Sequence, residues 1–483
     1  MNDRIPATLR RFVKDGIARG WPARLARPTL LTIVSLAATA GAASPSADSL
    51  AMPGSASDTA SRRATIERDY DAHLAALFEH LHRHPELSFL ERETAKRLAR
   101  ELRRAGAKVS EGVGGTGVVG VMRNGEGPLV LVRADMDGLP IREQSGLDFA
   151  STATQRDQDG REVPVMHACG HDVHMTVLVG TARRLAAMRD RWQGTVMFVG
   201  QPAEERIGGA KAMLADGLYE RFGVPDAALA LHVLAGGPVG RFALKPGPTA
   251  SSSDNVDIKV RGIGSHGAAP QNGKDPVYVA AQLVIALQAL VAREINPLEP
   301  AVISVGSIHG GLKHNVIPDE VDLEVTVRAD SEAVRKQLLA GIERVAEGVA
   351  RTAGLPEALW PEVTVVESTP SNLNDPELTA RITAALVREL GADVLFELDR
   401  DSMGAEDFAE FVRTEHAVPG VYLSVGGAPQ AEFDAARAGG PPLPFHHSAF
   451  FKVDARGSIT RGVEGMTIAV LELLGRRPDG RPD

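Results

Sequence analysis

A single cysteine, Cys169, stands among 483 residues, so an intramolecular disulfide framework is excluded. Basic charge is also short: 53 Lys and Arg face 62 Asp and Glu, for a net charge of −9. Phosphate binding needs clustered Lys and Arg, so no nucleic-acid partner is expected. Internal repeats are missing. With 43% hydrophobic residues, the composition is that of a globular protein, not a disordered, collagenous or coiled-coil one. At about 150 residues per domain, the length predicts two or three domains with ample core.

The N-terminus differs from the rest. Arg10, Arg11, Lys14, Arg19, Arg24 and Arg27 precede the weakly apolar run PTLLTIVSLAATAGAA (28–43), which ends in small residues. That order reads as a secretory signal over 1–43. The run is shorter than the roughly 20 residues of a membrane-spanning helix, so no membrane attachment is expected after processing. Arg10-Arg11 lies too far upstream to make a strong twin-arginine signal. The expected location is periplasmic or secreted, and cytoplasmic if the segment is not a signal. Residues 44–61, rich in Ser, Ala, Pro, Asp and Gly, read as a linker.

Beyond it, PLVLV (128–132), TVMFV (195–199) and AALAL (227–231) have the length of buried strands, and 173–192 reads as a helix between two of them. Alternating buried strands and helices predict an α/β domain with a mostly parallel sheet. The stretch 254–367 has another grammar. Period-two strands such as EVDLEVTVR and two long helices follow the order β-α-β-β-α-β, a ferredoxin-like α+β insert. The expected layout is a larger α/β domain over 62–253 and 368–476, interrupted by the insert at 254–367, with a tail at 477–483.

Acids or a histidine sit just past each apolar run: Asp135 and Asp137, then Glu204 and Glu205, then His232. In open α/β sheets, loops at the carboxyl ends of strands converge on one crevice. In HACGHDVHM (167–175), Gly170 allows a bend that aims Cys169 and His171 at one ion, and thiolate with imidazole suits zinc. Cys169 as an amidase nucleophile is an alternative, but it leaves the carboxylates without a task. In an extended QPAEE, Glu204 and Glu205 would point oppositely, one toward a metal and one toward the attacking water. His446 or His447 could complete the site, and His266 occupies a Gly-rich turn of the insert.

These segments, with LHRHPELSFLERETA (81–95), VRADMDGLPI (132–141), QPAEERIGGAKAM (201–213), GIGSHGAAP (262–270), HNVIPD (314–319), MGAEDFAEF (403–411) and HHSAFFKVD (446–454), resemble the M20 metallopeptidases. The nearer likeness is to their amidohydrolase branch, subfamily D, with aminoacylase-like, hippurate-hydrolase-like and auxin-conjugate-hydrolase-like enzymes. The resemblance implies two divalent cations per subunit, zinc or alternatively manganese, and cleavage of N-acyl amino acids or short peptides. It implies Cys169 as bridging ligand, with His171, Glu205, His232 and His447 as the other ligands and Glu204 as general base. It further implies Asp135 as a residue orienting a ligand, His266 as a lid histidine polarising the carbonyl, and Asn315 and Arg328 near the substrate carboxylate. The insert becomes a lid and homodimerisation domain. A carboxypeptidase or dipeptidase, or an inactive exported binding relative, are the alternatives. Ala449 and Ala455 depart from the family's usual Pro and Glu near His447, and Gly138 replaces a usual Ala.

Overall fold

The computed structural model describes residues 56–398, 400 and 402–475. The signal reading, most of the 44–61 linker and the 477–483 tail lie outside them. Where the linker was expected to run on to residue 61, the chain is already helical from Ala56–Asp69, because an Ala-, Ser- and Thr-containing stretch tolerates helix once a neighbouring helical segment continues it. It leads through a π-helical turn, Tyr70–Leu74, into Ala75–Arg83.

In chain order the main strands are β1 (Lys108–Val113), β2 (Gly117–Asn124), β3 (Leu129–Asp135), β4 (Gly194–Gln201), β5 (Ala227–Pro238) and β6 (Phe242–Ala243). The insert contributes β7 (Ser253–Arg261), β8 (Ala301–Gly310), β9 (Glu320–Ala329) and β10 (Glu362–Thr369), and β11 (Gly420–Ala428) returns to the first sheet. The first sheet has seven strands in the order β1-β2-β4-β3-β5-β11-β6. Its centre, β4-β3-β5-β11, is parallel, and antiparallel pairs flank it. β3 and β4 are apolar along nearly their whole length because helices cover both faces, His171–Ala187 and Ala455–Leu474 among them.

The insert folds around its own core. Its four-stranded antiparallel sheet runs β8-β9-β7-β10. Helices Pro276–Ala289 and Glu332–Thr352 pack Val279, Leu283, Leu338 and Ile342 against Val256, Ile258, Leu323 and Val325. Strict alternation in β9 buries one face and exposes the other, as the period-two pattern predicts. Asp275 caps the first helix, with Pro276 opening it, and Ser331 caps the second; such caps each contribute about 1 kcal/mol. The chain enters and leaves the insert through neighbouring strands, with Ser253 opposite Thr369.

Candidate metal centre

The sheet itself opens the site. β5 pairs with β3 only from Ala227 to Ala230, then continues beside β11 alone. His232 therefore lies within a strand that runs on to Pro238, not past its end as expected, and its β3 side is free. Asp135 ends β3, and β4 leads directly into Glu204 and Glu205. Gly170, at φ 84°, bends the chain between Cys169 and His171; a Cβ there would come within 2.4 Å of Val233 Cγ1.

Two groups of ligand-type atoms, each within 4.8 Å of one another, share one sulfur: Cys169 with His171 and His232, and Cys169 with Glu205 and His447. A third joins His171 to Glu204 and Glu205. His171 is fully buried, and neither ring nitrogen has a hydrogen-bond partner. Its Nε2 lies 3.9 Å from both Glu204 Oε2 and Glu205 Oε1, and the latter oxygen is also unpartnered. Ligand atoms about 2.1 Å from a zinc lie about 3.4 Å apart at the tetrahedral angle, so gaps of this size leave room for cations among these side chains.

Hydrogen bonds sort the other histidines. The Nδ1–H of His232 donates to Val233 O at 2.8 Å, which leaves the Nε2 lone pair facing Cys169 Sγ at 3.4 Å. Burial first, then His174 and His446, hold His232 well below the usual imidazole range, so it is neutral, as a ligand must be. His446 donates its Nε2–H to the same carbonyl at 2.9 Å, whereas His447 Nε2 sits 3.3 Å from Glu205 Oε2. His174 accepts the Val233 N–H on Nε2 and donates from Nδ1 to Asp135 at 2.6 Å, so both its nitrogens are committed.

The site is short of positive charge. Asp135, Glu406 and Asp407 share the buried guanidinium of Arg133, with Glu204 close to the last two. Burial opposes charging His171, yet Asp135, Asp137 and Glu205 raise its pKa to about 10. Burial pushes the Cys169 thiol well up, as do Glu205 and Glu204. Burial, followed by Glu406 and Glu205, does the same to the Glu204 carboxyl. Such a donor set, with orphaned nitrogens and excess acid, fits divalent cations.

The turn carrying Glu204 is tightly held. Ala203 and Ile207, both at φ 51°, bracket the 3-10 turn Glu204–Arg206, so the pair is not extended as expected and both carboxylates approach His171. Non-glycine residues in this region cost about 1–3 kcal/mol each. Asp137 accepts the N–H groups of Glu204 (3.2 Å) and Glu205 (3.0 Å), takes the Ser88 hydroxyl, and lies 3.3 Å from His171 Nδ1. His447, at φ 62°, is strained too, and its N–H donates to Ala168 O.

The profile of peptidase family M20/M25/M40 matches residues 131–436. The chain belongs to this family. It is 37% identical to a hippurate hydrolase of Campylobacter jejuni, over 68% of this chain and 82% of that one. It is 36% identical to thermostable carboxypeptidase 1 of Saccharolobus solfataricus, over 72% and 84%. A solved Bacillus subtilis protein, YXEP, described as a dinuclear metal-binding peptidase of family M20, superposes with a TM-score of 0.65 at 29% identity, covering 83% of this chain and 98% of that one. The chain is thus a hydrolytic enzyme of the amidohydrolase branch, in a family that binds metal as a dinuclear pair.

Within this M20 fold, three expected site residues stand apart. His266 is exposed on the short strand Ser265–His266, its Nδ1 accepting the Ala268 N–H. Asn315 O accepts the Gly267 N–H beside it, and Arg328, half-buried on β9, bonds Thr326. Among the described residues none bonds to the Cys169 clusters. Asp135, expected to orient a ligand, pairs at 2.6 Å with both His174 and Arg133 and is 3.8 Å from His171 Nδ1; Asp137 is the nearer carboxylate. Roles for Asp137, His174, Arg133 and Glu406 were missed in the sequence. Only the two-residue spacing of Asp135 and Asp137 and the three-residue spacing of His171 and His174 on one helix hinted at them.

Proposed function

We propose that the protein hydrolyses the amide bond of N-acyl amino acids, with Glu204 as general base. The observation that carries this is Cys169 shared by two ligand groups, with Glu204 beside His171 and Glu205. Cys169, His171 and His232 would hold one divalent cation and Cys169, Glu205 and His447 the other, zinc or alternatively manganese, and the pair supplies Lewis acidity that lowers the pKa of a water. Glu204 takes the proton of the attacking water and returns it to the leaving amine nitrogen. His266 of a second copy donates to the carbonyl oxygen, and Arg328 with Asn315 holds the carboxylate of the released amino acid by paired hydrogen bonds.

Assays on N-acetyl-, benzoyl- and aminoacyl-amino acids, with and without chelator, test this. N-acyl amino acids are expected to be the best substrates, chelator to abolish turnover, and added zinc or manganese to restore it. Preference for aminoacyl substrates would instead favour the carboxypeptidase or dipeptidase reading, and chelator-resistant turnover would end both.

The homodimer is supported by the outward face of the insert. Tyr278 and Ile285 on its first helix are 57% and 71% exposed, and Ile308 on the sheet edge β8 is 52% exposed. Ile285→Glu is expected to give a monomer by light scattering and to lower turnover, because His266 then has no neighbouring site to enter. A fully active monomer would remove His266 from the chemistry.

A further inference from the structure

Glu91 is completely buried, yet nothing in the chemistry above uses it. It lies just before helix Arg92–Arg104, 112 residues ahead of Ala203. Its Oε1 accepts two backbone N–H groups, from Phe89 at 2.9 Å and from Ala203 at 2.8 Å, while Oε2 accepts the Thr116 hydroxyl at 2.5 Å. Both backbone donors belong to residues in the left-handed region, Phe89 at φ 63° and Ala203 at φ 51°. The Phe89 ring also closes over the far end of the same turn, where a Cβ on Gly208 would lie 3.4 Å from it. Three successive N–H groups, of Ala203, Glu204 and Glu205, thus end on two buried carboxylates, Glu91 and Asp137.

The conformation of Ala203 sets the direction of the peptide that carries Glu204. An alanine there gains by returning to the right-handed region, which would swing the Glu204 carboxylate off its line to His171. A buried acceptor opposes that return, since leaving would strand both the Ala203 N–H and the carboxylate. We propose that Glu91 is a positioning residue: its carboxylate clamps the Phe89 and Ala203 N–H groups and so holds the turn that aims Glu204. The proposal rests on Glu204 being the general base.

Steady-state kinetics and elemental analysis on metal-loaded variants test it. Glu91→Ala is expected to lower kcat about 10–100-fold, with KM within about threefold of wild type and metal content unchanged. Glu91→Gln, which keeps an oxygen acceptor, is expected to lose less. Glycine takes positive φ without strain, so Ala203→Gly added to Glu91→Ala is expected to recover about tenfold in kcat. Wild-type kcat in Glu91→Ala, metal loss in step with kcat, or no recovery in the double variant would each overturn the clamp. If Glu91→Ala does not purify folded, Glu91→Asp, a methylene short of the Ala203 N–H, carries the same comparison. Glu204→Gln in the same assay separates the two readings: its full activity sinks the base, whereas an inactive Glu204→Gln beside a fully active Glu91→Ala sinks the clamp alone.

Discussion

Glu204→Gln is expected to keep its metal complement and to turn over about 10²–10⁴-fold more slowly, equivalent to about 2.7–5.5 kcal/mol of barrier. The amide has the shape of the carboxylate, and the backbone bond from residue 204 to Asp137 does not involve the side chain. Folding and ligand geometry are therefore preserved, and the loss falls on proton transfer. Burial and the acids Glu406, Glu205 and Asp407 hold the Glu204 carboxyl well above its ordinary range in the metal-free protein. Positive charge brought beside it reverses that balance, so the base is ionised when the site is loaded. Elemental analysis beside single-turnover rates checks the split; turnover near wild type would remove Glu204 from the proton path.

Cys169→Ala is expected to empty both positions and to take activity to background. Its sulfur is the one atom common to the two ligand groups, so its removal leaves each with two ligand side chains. In the bare protein, burial and then Glu205 and Glu204 keep the thiol protonated, so loading must release a proton and affinity should weaken as pH falls. A merely structural thiol would give the opposite outcome, full metal occupancy with a modest loss of stability, and elemental analysis distinguishes them.

The sequence and structure agree where burial writes itself into local pattern. PLVLV, TVMFV and AALAL are legible because strands covered on both faces carry few polar residues, and EVDLEVTVR because one face is wet. The outer strands β1 and β2 escaped notice: β1 (KVSEGV) shows no clean alternation, and a bulge interrupts its pairing. Cys169, His171, Glu205, His232 and His447 come together because β3 and β4 end at one crevice, where β5, running on beside β11 alone, presents His232 on its open side. The choice between His446 and His447 was open in the residues alone, since it depends on which one reaches Val233 O. The turn at Glu204 was misread as extended because its left-handed residues are Ala203 and Ile207, which carry none of the glycine or asparagine signal for positive φ. Arg133, Glu406 and Glu91 stayed silent for another reason: beside a near neighbour, each buried charge also needs partners distant in the chain, and that pairing is a tertiary fact.

The junction at Ser253 and Thr369 has a topological meaning. Antiparallel neighbours sit about 5 Å apart, so the inserted segment begins and ends at nearly one point in space. To the host sheet it is a cassette spliced into a surface bend: it imposes no stretched path on either half and no crossing that the host must thread. Exchange of the whole cassette, or its tilting about that double strap, leaves the order of β5 and β11 intact. The insert can thus diversify while the seven-stranded framework that gathers Cys169, His171 and His232 stays as it is.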